Sequence, residues 1–125
     1  MIALIAHDKK KPEMVNFVQT HLEFLWRTSC VATGTTGEFL NRDLTLNVRC
    51  VAPGAEGEEM IIDLVARGEV HAVIFFRDPL TPQPDDPDVS LLLRACDVHN
   101  VPVATNPATA EAILRMMEES QNRCK

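Results

Sequence analysis

Met1-Ile2-Ala3-Leu4-Ile5-Ala6 is apolar from end to end and stops abruptly at His7-Asp8-Lys9-Lys10-Lys11. A strand with one wet face alternates polar and apolar side chains. An unbroken run of this length suits a strand buried on both faces, as in a parallel sheet. Parallel neighbours need crossover connections, so the residues that follow should alternate between helix and strand.

They do. Pro12 stands where a first helical residue would, and Met14, Val15, Phe17, Val18, His21, Leu22 and Leu25 follow helical spacing. Ser29 to Thr33 reads as a second strand, broken by Gly34-Thr35-Thr36-Gly37, with a short helix expected to begin near Thr36. Leu46 to Val51 reads as a third strand, followed by the turn-rich Pro53-Gly54-Ala55-Glu56-Gly57. Glu58 to Ala66 has helical periodicity, and Gly68 suits the position after a helix end. His71 to Phe76 is a strongly apolar fourth strand. Arg77 to Pro87 holds four prolines and reads as a loop.

Asp86-Pro87-Asp88 resembles a cap, a proline at the first helical position and an acid in the first turn. The helix behind it carries Val89, Leu92, Leu93 and Cys96 and ends near Asn100. Val101-Pro102-Val103-Ala104 reads as a fifth strand at a sheet edge, because Pro102 lacks a donor. Thr105-Asn106-Pro107 caps a last helix whose expected apolar stripe is Ala108, Ala112, Ile113 and Met116, with Met116-Met117 in the core. The expectation is one α/β domain over residues 1–125, built on a five-stranded parallel sheet.

The chain has 125 residues and a net charge of -6, and its hydrophobic and charged fractions of 46% and 24% are those of a folded globular chain. That acidity argues against sequence-independent nucleic-acid binding. No apolar run approaches the roughly 20 residues that cross a bilayer, so no membrane partner is expected. The first residues lack the basic segment of a signal peptide, which points to the cytoplasm. Cys30, Cys50, Cys96 and Cys124 are scattered without a C-x-x-C pair, and His7, His21, His71 and His99 show no ligand spacing. No metal is expected, and Cys30 and Cys50 read as small buried residues.

In open parallel sheets, ligands bind beyond the carboxyl ends of the strands, so the segments after the strands are where chemistry is expected. Thr33-Gly34-Thr35-Thr36-Gly37 joins a strand to a helix and offers hydroxyls and main-chain N–H groups to an anion; as an alternative it is simply a capped turn. Two of the three lysines at 9–11 read as solvated, and Lys11, just before the helix, is the one suited to turn inward to a phosphate. His7-Asp8 places two titratable groups directly at a strand end. Glu58-Glu59, Asp78 and Asp85-Asp86-Asp88 form an acidic set. Taking a proton from a carbon beside a carbonyl needs such a carboxylate, with a second acid or an imidazole to manage the developing oxyanion. For single members the plainer alternatives stand: a cap for Asp86, a solvated first-turn residue for Glu59.

Ala6-His7-Asp8, Ala32-Thr33-Gly34-Thr35-Thr36-Gly37, Ile74-Phe75-Phe76-Arg77-Asp78-Pro79-Leu80, Asp86-Pro87-Asp88-Val89 and Pro102-Val103-Ala104-Thr105-Asn106 resemble, in order, the blocks of the methylglyoxal synthase family. The resemblance implies a doubly wound sheet and a cofactor-free reaction. Dihydroxyacetone phosphate loses a proton to a carboxylate, the enediolate expels inorganic phosphate, and the enol product becomes methylglyoxal. It further implies that Lys11, Thr33, Thr35, Thr36 and Gly54 hold the phosphate. His7, Asp8, Asp78 and Asp88 would lie in the catalytic pocket, Asp8 and Asp78 positioning and tuning the other carboxylates. A homo-oligomer, in this family usually a hexamer, is expected as well.

Two segments depart from the family pattern. Where its third-strand loop reads Ser-Gly-Pro-x-Gly-Gly-Asp-Gln-Gln, with the Asp as base, this chain has Pro53-Gly54-Ala55-Glu56-Gly57-Glu58-Glu59-Met60. Counting back from Leu64 puts Glu58 at the Asp position, and counting forward from Val48 puts Glu59 there. The family's His before Asp-Pro-Asp is Asp85 here, which can donate to an oxyanion only if it is held protonated. The leading expectation is a methylglyoxal synthase with Glu58 as base. The alternatives are a non-catalytic phosphate- or metabolite-sensing domain and a lyase or isomerase acting on another small phosphorylated ketose.

Overall fold

The apolar runs become strands and the periodic segments become helices in the computed structural model. It describes residues 1–44, 46, 48–52, 54–80 and 89–123, leaving aside the side chains at 8, 43, 55, 89 and 121–123. The strands are β1 (Ile2–Ala6), β2 (Cys30–Thr33), β3 (Arg49–Val51), β4 (Ala72–Phe76) and β5 (Val103–Ala104). The helices are α1 (Lys11–Thr20), α2 (Leu22–Arg27), α3 (Gly34–Leu44), α4 (Gly54–Ala66), α5 (Val89–His99) and α6 (Pro107–Arg123), with a 3-10 turn at Asp8–Lys10 before α1. All five strands are parallel in the order β3-β2-β1-β4-β5.

The period of two in a strand sorts side chains onto opposite faces. Ile2, Leu4 and Ala6 of β1 join Ile74 and Phe76 of β4 in a layer with Met14, Phe17 and Val18 of α1, Leu40 of α3, and Ile113 and Leu114 of α6. Ala3 and Ile5 face the other way, with Val73 and Phe75, into a layer closed by Ile61, Leu64 and Val65 of α4 and by Leu92 and Cys96 of α5. The sheet is therefore doubly wound, and β1, between β2 and β4, is fully buried.

Several boundaries differ from the sequence expectation, each for a local reason. The first helix breaks at His21, whose N–H is shared between the carbonyls of Phe17 and Val18 at 3.2 Å each, and α2 restarts so that Phe24 and Leu25 are buried. The third strand begins at Arg49, not Leu46. Asn41 of α3 takes up both main-chain groups of Val48, accepting from its N–H at 2.9 Å and donating to its carbonyl at 3.2 Å. The second and fourth strands start one residue later than expected, and β5 is only Val103–Ala104.

Two helices begin earlier than expected, α3 at Gly34 and α4 at Gly54, so glycines that read as turn residues lie in first turns. α6 buries Ala110, Ile113 and Leu114, while Met116 is about half exposed and Met117 partly buried. The expected stripe was therefore out of phase, because the cap fixes the rotation of the helix: Asn106 Oδ1 accepts from the N–H of Thr109 at 3.1 Å. Cys30 is buried as expected, but Cys50 is exposed on edge strand β3. Asp86-Pro87-Asp88, Cys124 and the loop from residue 81 to 88 lie outside the described residues. Among the described residues, no helix is long and apolar enough to cross a membrane.

Candidate active site

From β1 the chain winds outward through β2 to β3, then returns to the far side of β1 for β4 and β5. The winding direction reverses between β1 and β4, which is where an open parallel sheet leaves a crevice at its carboxyl edge. His7 follows β1 there and Asp78 comes just after β4. His7 donates its main-chain N–H to the Phe76 carbonyl at 3.0 Å, extending the β1–β4 ladder by one bond. Its Nδ1 accepts the main-chain N–H of Asp78 at 2.8 Å. A main-chain N–H only donates, so Nδ1 carries no proton and the neutral ring presents Nε2–H. Phe75 closes one side of the imidazole edge-on, with ring centroids 5.2 Å apart.

Asp78 is buried as well. Its Oδ1 accepts the N–H of Leu80 at 3.0 Å, an Asx turn that fixes the carboxyl as the chain leaves β4. Lys11, the first residue of α1, is buried and donates from Nζ to the Ala6 carbonyl at 3.2 Å, so its ammonium sits against the end of β1. Its neighbours differ: Lys9 is exposed, and Lys10 forms a surface pair with Glu13 at 3.1 Å.

Thr33 ends β2 and α3 starts at the next residue. The Thr33 and Thr36 hydroxyls are buried and 3.5 Å apart, Thr35 is exposed, and the unsatisfied N–H groups of the first turn face the same edge. On α4, Glu58 is buried and Glu59 exposed, so the inward carboxylate of the pair is Glu58. Gly54 is the first residue of α4. The side chain of Asp8 and the residues Pro53, Asp85 and Asp88 lie outside the described residues.

Among the described residues, the buried polar and charged side chains are His7, Lys11, Thr33, Thr36, Glu58 and Asp78, and every one belongs to this edge. Burying such groups is costly unless they are paired, and apolar residues would pack a core better. The combination provides a neutral imidazole donor, carboxylates sheltered from water, and an ammonium next to a helix start that attracts anions. Such a set can hold a phosphate and move a proton on a carbon next to a carbonyl. Burial pushes the Cys30 thiol up to about 11, and burial with nearby Asp97 does the same to Cys96, so neither of these two is a ready nucleophile. Among the described residues, no three His, Cys, Asp or Glu side chains gather to hold a metal ion.

Three features of the edge were not foreseen from sequence: the Asp78 main-chain N–H, the Phe75 wall and the close approach at Gly57. Main-chain donors and packing walls leave no composition signal. A methyl group at Gly57 would collide with the Ala52 carbonyl and come within 3.4 Å of Thr33 Cγ2, so the first turn of α4 lies directly on the chain leaving β3, beside β2. In the sequence, that glycine is one more turn residue.

The MGS-like domain family model matches residues 13–105. The methylglyoxal synthase of Carboxydothermus hydrogenoformans is 51% identical over 117 residues, 93% of this chain and 97% of that protein. The methylglyoxal synthase of Moorella thermoacetica is 53% identical over 119 residues, 94% of this chain and 93% of that protein. Among solved structures, the methylglyoxal synthase of Elizabethkingia anophelis NUHP1 superposes with a TM-score of 0.89 at 42% identity, covering 90% of this chain and 75% of that one.

Proposed function

The chain belongs to the methylglyoxal synthase family, and on that premise we propose that it eliminates inorganic phosphate from dihydroxyacetone phosphate to give methylglyoxal. It is a carbon–oxygen lyase. The observation that carries the assignment of roles is the confinement of every described buried polar side chain to the carboxyl edge of the sheet.

The substrate phosphate lies against Lys11, the Thr33, Thr35 and Thr36 hydroxyls, and the helix starts at Gly34 and Gly54. Glu58 takes a proton from the hydroxymethyl carbon, and its electron pair moves into the carbonyl to form an enediolate. His7 donates from Nε2 to the oxygen that gains charge; a preorganised donor of this kind contributes roughly 10²–10³-fold in rate. The enediolate collapses, the carbon–oxygen bond to phosphate breaks, and the released enol takes up a proton at its terminal carbon. Asp8 and Asp78 position the other carboxylates, and Asp88 and Asp85 complete the pocket. The working protein is a cytoplasmic homo-oligomer, a hexamer by family resemblance.

Incubation with dihydroxyacetone phosphate, following methylglyoxal and phosphate together, tests the activity. Equal amounts of both should appear faster than in buffer. Phosphate binding without product would make the chain a sensor instead.

A further inference from the structure

We propose that Gly57 is a positioning residue for the base: the absence of a side chain there sets where the Glu58 carboxylate meets the substrate. The inference rests on the assignment of Glu58 as that base. Glycine is the poorest helix former after proline, yet Gly57 lies inside α4, one turn from its start. Its φ is not in the left-handed region that only glycine favours, so conformation does not explain it.

Space does. A Cβ would meet the Ala52 carbonyl, with the carbonyl carbon only 2.7 Å away, and main chain at the end of a strand cannot turn aside as a flexible side chain would. Contact with Thr33 Cγ2 would be ordinary, at 3.4 Å. A methyl group is thus relieved by lifting the first turn of α4 off β3, while β2 and the Thr33 loop stay in place. Glu58 is the next residue and moves with the turn. A shift of about 1 Å at a reacting group can cost roughly 10²-fold in rate.

Gly57→Ala should therefore lower kcat roughly 10²-fold while leaving KM and the Kd of inorganic phosphate within about threefold. With substrate deuterated at the hydroxymethyl carbon, its isotope effect on kcat should be no smaller than that of the wild type, since the slowed step is proton transfer. In a Glu58→Gln background, Gly57→Ala should cost nothing more, because the group it positions is gone. Glu58→Asp retracts the carboxylate without touching the glycine and should give the same kcat-only loss.

The proposal is overturned if the isotope effect collapses towards one, if the losses add in the Gln background, or if Glu58→Asp is fully active. Loss of phosphate binding or of the folded state together with turnover overturns it too, since the glycine would then support the whole domain. Should Glu58→Gln alone leave turnover intact, the base assignment itself fails, whatever Gly57→Ala does.

Discussion

The main-chain N–H of Asp78 and the Nδ1 of His7 lie 2.8 Å apart, joining residues 71 positions distant in sequence across the reversal between β1 and β4. The backbone of one strand end thereby chooses the tautomer of the side chain at the other. Among the described histidines, His21 lies between α1 and α2, His71 before β4 and His99 at the end of α5, which leaves His7 as the imidazole at the carboxyl edge.

The tautomer is directly observable. In 15N spectra of labelled protein, His7 Nδ1 should carry no proton and Nε2 should be protonated. His7→Asn removes the Nε2 donor and should lower kcat by roughly 10²–10³-fold. Undiminished turnover would take the imidazole out of the mechanism.

Glu58 and Glu59 should separate cleanly. Glu58 is buried and Glu59 exposed, so Glu58→Gln should cost kcat roughly 10²–10⁴-fold, and Glu59→Gln should leave it near wild type. Phosphate affinity, measured by calorimetry, should survive both. The reverse pattern would move the base to Glu59.

Asp85→His should raise kcat. An ionised carboxylate repels an enediolate, whereas a neutral imidazole donates to it. Steady-state rates in matched preparations decide the matter; a fall would mean that Asp85 works as the protonated acid.

Alkaline stability should reflect the buried thiols. Burial raises Cys30 and Cys96 from an ordinary value of 9.0 to about 11, with Asp97 adding to the effect at Cys96. Between those limits the unfolded chain has released protons that the fold retains. The stabilisation is complete below pH 9 and is lost as pH rises towards 11. Urea midpoints should fall across that window, and less steeply in a Cys30→Ala/Cys96→Ala variant. An equal slope in that variant would assign the fall to other groups.

Asn106 sets the start and rotation of α6, so Asn106→Ala should destabilise by about 1 kcal/mol, or roughly 3–5 °C in Tm. Calorimetry checks this. An unchanged Tm would assign the phase of α6 to packing alone.

Much of the architecture was legible because strand burial is written directly in composition: unbroken apolar runs at Met1–Ala6 and Ala72–Phe76 occur where both faces are covered. Helix phase was less legible. Ala112 and Ala110 are equivalent as letters, and only the cap and the neighbouring strand decide which turns inward. The late start of β3 goes with one side-chain amide, Asn41, taking up the main chain of Val48 seven residues ahead. At the edge of the sheet, the segments after the strands named His7, Lys11, Thr33 and Asp78 as candidates, and all four are buried there. The choice between Glu58 and Glu59 needed the direction of the α4 face, which the irregular loop before it obscured.

The central place of β1 also has a kinetic meaning. β1 pairs with β2, which follows it closely, and with β4, whose Ala72 aligns with Ile2. Closing that second ladder draws together segments some 70 residues apart, the kind of non-local step that slows folding. The bond from Asp78 to His7 cannot form before that closure. Any change that slows closure of the β1–β4 ladder should therefore delay the His7–Asp78 bond with it. Recovery of turnover on refolding should then report closure of that ladder rather than collapse.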